Sequence, residues 1–256
     1  MTDSDRFERY SRQMLLPQIR REGQQKLAAA RIGLVGCGAL GSVVAMHLVR
    51  AGVGFLRVID SDHAELHNLH RQMLYTEDDV RRQVPKAEAA ARYLRCVNSD
   101  VTVEPVVARL EAENLPAFAS DLDLLVDGTD NFPTRFLINE YAVRRGLPWV
   151  YGGVIGTSGM SLTVVPGDGA CLRCLVRELP SPEQSPTASV AGVMNTVVAV
   201  IASVEATEAI RLIVDPAARN RDLLVVDVWD LSFDKLHVPR DPECVCCAPE
   251  GEVERS

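Results

Sequence analysis

The sequence predicts an α/β fold: a doubly wound, largely parallel sheet followed by a C-terminal mixed or antiparallel strand region. Three observations predict it. Through about residue 150, short apolar runs alternate with stretches of helical apolar rhythm, the order that builds a parallel sheet with helices on both faces. A glycine-rich turn, GCGALG, joins the first run to the first helix of the series, and the next run ends on an acid. From Pro148 onward the texture changes to strand-like segments, WVYGGV and SGMSLTVVP, that are not separated by a helical stretch.

The elements follow in order. Residues 1–30 read as one or two amphipathic helices carrying RYSRQ (Arg9–Gln13), with Pro17 between them. RIGLVG is a short buried strand, Ala39–Ala51 a helix, and FLRVID (Phe55–Asp60) a second strand, which completes a βαβ unit. A helix from Thr76 to Asn98, broken or kinked near Pro85, leads to the alternating strand VTVEPVV and the apolar strand LDLLVDG (Leu122–Gly128). Asn131 or Asp130 caps the next helix, Pro133 fits its first turn, and Gly146 fits its C-terminal cap. Then come WVYGGV, SGMSLTVVP, a cysteine pair, a mobile Ser/Pro-rich loop (Pro180–Ala188), an apolar helix over Val190–Val214, the strands LLVVDVW and FDKLHV, and a polar tail.

Composition narrows the class. The chain has 256 residues, 47% hydrophobic and 24% charged, the balance of a globular protein with a sizeable core. A formal net charge of -8 opposes nucleic acid as a partner, although a local basic pocket is compatible with it. The first 25 residues contain no apolar signal region, so the expected location is the cytoplasm. Ser189, Asn195, Thr196 and Ser203 interrupt the longest apolar stretch, which reads as a buried helix and not a membrane span. Seven cysteines in such a protein suggest metal or catalysis before disulfides.

The glycine turn makes the chain a nucleotide binder of Rossmann-like type. Gly36, Gly38, Ala39, Leu40 and Gly41 sit where a helix N-terminus offers unpaired N–H groups to a phosphate, and Asp60, nineteen residues past Gly41, is placed to accept hydrogen bonds from a ribose. No GxxxxGK[ST] motif is present, so this is not a P-loop. NAD fits these features as well as ATP. The choice of ATP rests on HNLHRQ (His67–Gln72), which supplies Asn68, Arg71 and Gln72, and on VPK, which brings Lys86. A triphosphate with magnesium needs several donors around a departing pyrophosphate, whereas NAD needs few. Taken singly, Arg71 and Lys86 also read as solvated surface charges. His63, His67 and His70 share a helical spacing but have no carboxylate or cysteine to complete a metal set.

DGTDN (Asp127–Asn131) follows a buried strand at the carboxyl edge of the sheet, where ligands of such folds collect, so Asp127, Thr129, Asp130 and Asn131 are candidate nucleotide contacts. A carboxylate at Asp130 suits magnesium bridging ATP phosphates; the alternative is an ordinary helix cap. Cys171 with Cys174 and Cys244 with Cys247 form two CxxC pairs, the four thiolates of a tetrahedral structural zinc, with a redox CxxC as the lesser reading. Cys246 breaks the spacing, and Cys37 and Cys96 read as small buried fillers.

Together RYSRQ, GCGALG, Asp60, HNLHRQ, VPK, DGTDN, the CxxC pairs and AGV (Ala191–Val193), in order through residues 6–248, resemble the ThiF/MoeB/HesA family of ubiquitin-activating-enzyme relatives. The resemblance implies a single adenylating domain over 1–248: a helical arm (1–30), a nucleotide-binding part (31–150) and an acceptor-binding, zinc-bearing part (151–248). It implies a homodimer using ATP and magnesium to adenylate the C-terminal Gly-Gly carboxylate of a ubiquitin-like sulfur carrier such as ThiS or MoaD. In it Gly36, Gly38 and Gly41 approach the nucleotide, Asp60 holds the ribose, and Asn68, Arg71, Gln72 and Lys86 surround the phosphates. Asp130 holds magnesium, Arg12 reaches into the neighbouring subunit's site, and Cys171, Cys174, Cys244 and Cys247 hold zinc. One departure stands out. Ala188 lies about where many members carry a cysteine before AGV, which puts a thioester or persulfide step in doubt and leaves sulfur delivery to a separate donor protein. Other readings are adenylation of a peptide or small-molecule carboxylate, a noncatalytic scaffold half, and an NAD-dependent oxidoreductase.

Overall fold

The computed structural model describes residues 7–181 and 188–248. Eight strands form one sheet in the order β3-β2-β1-β4-β5-β6-β7-β8. The strands β1 (Arg31–Val35), β2 (Phe55–Ile59), β3 (Thr102–Val106), β4 (Leu124–Asp127) and β5 (Trp149–Ile155) run parallel. The strands β6 (Ser158–Val164), β7 (Leu223–Asp227) and β8 (Ser232–Leu236) continue the sheet antiparallel. The predicted doubly wound sheet with its antiparallel C-terminal part is therefore present.

Helices cover both faces: α1 (Arg20–Ala29), α2 (Ala39–Ala51), α3 (Glu77–Arg81), α4 (Lys86–Val97), α5 (Leu115–Ala119), α6 (Phe132–Arg145), α7 (Leu172–Leu175), α8 (Ala188–Ala191) and α9 (Asn195–Val214). Alternation along each strand sorts the side chains. Leu34, Val58 and Val126 pack with Val44 and Leu48 of α2, Leu94 of α4 and Ile201 of α9. On the other face Val35, Ile59 and Leu125 pack with Phe118 of α5, Ile138 of α6 and Leu172 of α7. Burial on both faces explains why β1 and β4 read as unbroken apolar runs. Val35 pairs with both Ile59 and Asp127, so β1, β2 and β4 end at one level. That shared edge is where the switch in strand order, between β1 and β4, opens a crevice. No helix of the described residues is long and apolar enough to cross a membrane.

Local structure departs from the sequence reading in four places. Arg9–Arg12, after the helical Phe7 and Glu8, lie in turns followed by a 3-10 segment (Gln13–Leu15), so RYSRQ is not α-helical, and α1 is the regular helix that follows. Tertiary bonds replace the helical ones there: Gln13 Nε2 donates to the Ala51 carbonyl (3.0 Å) and to Gln24 Oε1 (2.7 Å). The helix read as Val190–Val214 breaks at Gly192, whose φ of 75° is left-handed. Its backbone is committed elsewhere, because the Gly156 amide donates to the Gly192 carbonyl (2.9 Å) and the Met194 amide to the Gly156 carbonyl (2.8 Å). Cys96 is exposed, not a buried filler, whereas Cys37 is buried. The short helix α5 went unread because only Phe118, Leu115 and Ala119 face the core. The break near Pro85 is present between α3 and α4, with Gln83 at φ 50° and Pro85 capping α4. The Ser/Pro-rich loop lies mostly at 182–187, outside the described residues.

Asn98 ties the N-terminal segment down. Its Nδ2 donates to Tyr10 Oη (2.7 Å) and to the Val49 carbonyl (2.8 Å), and both partners are in the buried interior. Replacing Asn98 by Ala strands these acceptors, so equilibrium denaturation of Asn98→Ala is expected to show a loss of ~1–3 kcal/mol. An unchanged midpoint would mean that the segment is held by other contacts.

Candidate active site

The glycine turn is built by backbone lying against backbone. Gly36 has φ 83°, and a Cβ on Gly41 would sit 2.1 Å from the Gly36 carbonyl oxygen. A Cβ on Gly128, in the turn after β4, would sit 2.3 Å from that same oxygen. Bare backbone is therefore required at all three positions. Gly38 differs: a Cβ there would meet nothing closer than Gln72 Nε2 at 3.7 Å, so its open side faces the cavity. Gly38 caps α2, and Ala39 and Leu40 of its first turn line the cavity with it. The free amides of such a helix start suit a phosphate.

Asp60 follows β2. Its Oδ2 accepts from the Cys37 amide (2.7 Å) and its Oδ1 from the Asp62 amide (2.8 Å), which fixes the carboxylate at the cavity wall. Burial raises its pKa against these two hydrogen bonds and the Lys86 charge. Arg71, Gln72 and Lys86 also line the cavity. Arg71 Nη1 donates to the His67 carbonyl (2.9 Å) and touches His70 Nε2 (2.9 Å), and its remaining donors have no hydrogen-bond partner among the described residues. Lys86 is buried, with Nζ 3.1 Å from Asp62 Oδ2. Gln72 is buried, and its Oε1 has no partner among the described residues. Asn68 does not line the cavity: its side-chain oxygen accepts from the Glu65 amide (3.3 Å), and its carbonyl accepts from the amides of Arg71 and Gln72. Asn68 thus shapes the loop that presents the other two. The histidines His63, His67 and His70 form no metal cluster among the described residues.

At the acidic turn the two capping candidates separate. Asn131 caps α6, its side-chain oxygen accepting from the Thr134 amide (3.0 Å). Asp130 is exposed at the cavity wall and receives no hydrogen bond among the described residues. Thr129 and Asn131 line the cavity too. Asp127 does not: it is fully buried, paired with Arg135 Nε (2.8 Å), and accepts from the Thr129 amide (2.8 Å) and hydroxyl (2.7 Å). Burial pushes its pKa up, while Arg135 and Thr129 pull it back. Asp127 therefore lies behind the wall as a support.

The cavity encloses about 650 Å³, within the ~300–1,000 Å³ of small-molecule sites. It runs from the glycine turn past Ala108, Arg109 and Leu110 and along the acidic turn to an apolar end made by Ile155, Met160, Val193 and Val225. That apolar end and the buried Arg135 and Tyr151 beneath the acidic turn were absent from the sequence reading. A signal for Arg135 existed, since it lies one helical turn past the cap at Asn131. Arg12 is exposed and does not line the cavity of its own chain.

The sulfurs of Cys171, Cys174, Cys244 and Cys247 lie within 4.8 Å of one another. Cys171 and Cys244 are 3.7 Å apart and Cys174 and Cys247 are 3.4 Å apart, near the ~3.8 Å edge of a tetrahedron with ~2.3 Å Zn–S bonds. Four such thiols fit a metal ion, with no open position. Asn139 of α6 joins this cluster to the rest: its side chain accepts from the Leu172 amide (3.0 Å) and donates toward Cys246 Sγ (3.2 Å) and Cys171 Sγ (3.6 Å). Cys246 stays outside the four-sulfur set.

Comparison with known proteins agrees with this geometry. The fold resembles a crystal structure of Escherichia coli MccB with ATP, with a TM-score of 0.80 and 25% identity over 94% of this chain and 75% of that one. The chain is 41% identical over 254 residues to a Thermus thermophilus sulfur carrier protein adenylyltransferase, covering 96% of this chain and 92% of that protein. It is 44% identical over 219 residues to a Bacillus subtilis sulfur carrier protein ThiS adenylyltransferase, covering 84% of this chain and 65% of that one. Residues 10–246 match the ThiF family model, and the chain belongs to the ThiF family.

Proposed function

We propose that this chain is an adenylyltransferase that uses ATP to activate the C-terminal glycine carboxylate of a small ubiquitin-like sulfur carrier. The observation that carries the reading is the single cavity joining the glycine turn, Asp60, Arg71, Lys86 and an uncapped Asp130 carboxylate. The names of the Thermus and Bacillus relatives support the class of acceptor. Adenylation of a peptide or small carboxylate uses the same atoms and is separated by trying acceptors.

In this reading the amides at Gly38 and the start of α2 receive phosphate oxygens, and Asp60 accepts from the ribose hydroxyls. The acceptor tail lies along the apolar end, against Ile155, Met160 and Val193, with its carboxylate facing the α-phosphorus. A carboxylate oxygen forms the new bond to phosphorus. The bond from that phosphorus to the bridging oxygen breaks, and its electron pair leaves with pyrophosphate. No general base is required, because the carboxylate is already ionised. Arg71 and Lys86 stabilise the charge on the leaving pyrophosphate; Lys86 exchanges Asp62 for a phosphate oxygen. Asp130 would hold magnesium, which supplies charge neutralisation at the phosphates when bound. Asn68 and Asp127 contribute from behind the wall.

The chain works as a homodimer in this proposal. Arg12, with exposed Leu15 and Leu16 beside it, serves the partner's cavity rather than its own. No cysteine lies between Cys174 and Cys244, so the loop before Ala191 carries no thiol, and the product is the free acyl adenylate, passed to a separate sulfur donor. Zinc at Cys171, Cys174, Cys244 and Cys247 is structural.

Two measurements test these assignments. In ATP–pyrophosphate exchange, Asp130→Ala and Arg71→Ala are each expected to lose about a hundredfold or more, and a loss under about threefold in either contradicts its role. Metal analysis should find one zinc per chain. Its removal by a chelator should lower Tm on the order of 10 °C, roughly 3 kcal/mol for a chain of this size. Metal-free protein that melts unchanged would remove zinc from the account.

A further inference from the structure

Asp130 stands between two fixed points. After it, Asn131 caps α6. Before it, the carbonyl of Thr129, which belongs to the Thr129–Asp130 peptide bond, accepts a hydrogen bond from Arg135 Nη2 (2.7 Å). The same guanidinium donates from Nη2 to the Gly152 carbonyl on β5 (2.8 Å) and from Nε to Asp127 at the end of β4 (2.8 Å). One planar group therefore grips two neighbouring strands and the peptide that precedes Asp130.

The guanidinium is buried and braced from both sides. Its carbon lies 5.1 Å from the centre of the Tyr151 ring and 5.3 Å from that of Phe132. Behind Gly152 the Glu205 carboxyl of α9 leaves no room for a side chain, since a Cβ on Gly152 would sit 2.3 Å from it. Nε and Nη2 of Arg135 are given to three acceptors in the protein, which ties the guanidinium to the scaffold even where the residue borders the cavity.

We infer that Arg135 is a positioning residue: by holding the Thr129–Asp130 peptide against β4 and β5, it sets where the Asp130 carboxylate meets magnesium. The inference rests on the assignment of the metal to Asp130 made above. Lysine keeps the charge beside Asp127 but lacks the fork that reaches three acceptors at once. Arg135→Lys therefore separates placement of the turn from neutralisation of Asp127.

The experiment is calorimetric titration of ATP into the protein, with magnesium and with EDTA, for the wild type, Asp130→Asn and Arg135→Lys, which reads binding without turnover. The gain in ATP affinity that magnesium brings is the quantity of interest. Arg135→Lys is expected to lose roughly ten- to a hundredfold of that gain, the range for residues that orient a metal ligand, while keeping its affinity for ATP in EDTA. An unchanged gain overturns the inference, and so does a parallel loss in both media, which is what general destabilisation produces. If magnesium brings no gain to the wild type, or Asp130→Asn loses none, the metal assignment itself fails and the inference falls with it. If Asp130→Asn loses the gain and Arg135→Lys keeps it, only the role of Arg135 is removed. Should Arg135→Lys not fold, Arg135→Gln reads the same gain, because it too lacks the fork that reaches Asp127 and the Thr129 and Gly152 carbonyls at once; an unaltered gain there counts against the inference equally.

Discussion

Gly36, Gly41 and Gly128 bring the turn after β1 and the turn after β4 into backbone contact, and the geometry of the whole site depends on that contact. The Gly36 amide donates to the Ile59 carbonyl (2.8 Å) and the Gly128 amide to the Val35 carbonyl (2.7 Å), so the three strand ends are stitched together as they leave the sheet. Any side chain at these positions would force the turns apart, because the neighbouring atoms are carbonyls of the main chain and cannot swing aside. The separation between the amides at the start of α2 and the acidic turn is thus fixed by bare peptide. In the proposed reading, the groups that cooperate on one nucleotide, from Asp60 to Asp130, hang from this seam.

Much of this was legible in the sequence because the relevant signals are local. Strand, glycine turn, helix and terminal acid occur within one short stretch, and each imposes its own spacing. The CxxC pairs announce their chemistry by composition alone, whatever fold carries them. What was not legible depends on partners distant in sequence. Asp127 and Asp130 look alike in DGTDN, and only the burial of Arg135 beneath β4 shows that the first acid is a support and the second is free. Asn68 sits in a motif read as phosphate-binding, yet its oxygen is taken by the Glu65 amide three residues earlier. The apolar run through Val190 reads as one helix until Gly156, on a strand turn, takes up the backbone groups around Gly192.

The cysteine cluster and the cavity lie at opposite ends of one lever. Helix α6 begins at the acidic turn with the cap at Asn131, carries Arg135 one turn later, and reaches the cysteines through Asn139 one turn after that. A metal holding Cys171, Cys174, Cys244 and Cys247 would close a long loop of chain and anchor that helix from its far side. Such a metal would contribute to the position of the acidic turn without touching a substrate.

The account is tested most directly by ATP–pyrophosphate exchange with the wild-type protein and magnesium, with and without a panel of sulfur carriers ending in Gly-Gly. Exchange that appears only when such a carrier is present is the predicted result, and it identifies the acceptor. Protein that binds ATP yet exchanges with no carrier would contradict the claim and point to a different carboxylate or to a noncatalytic half of a larger assembly.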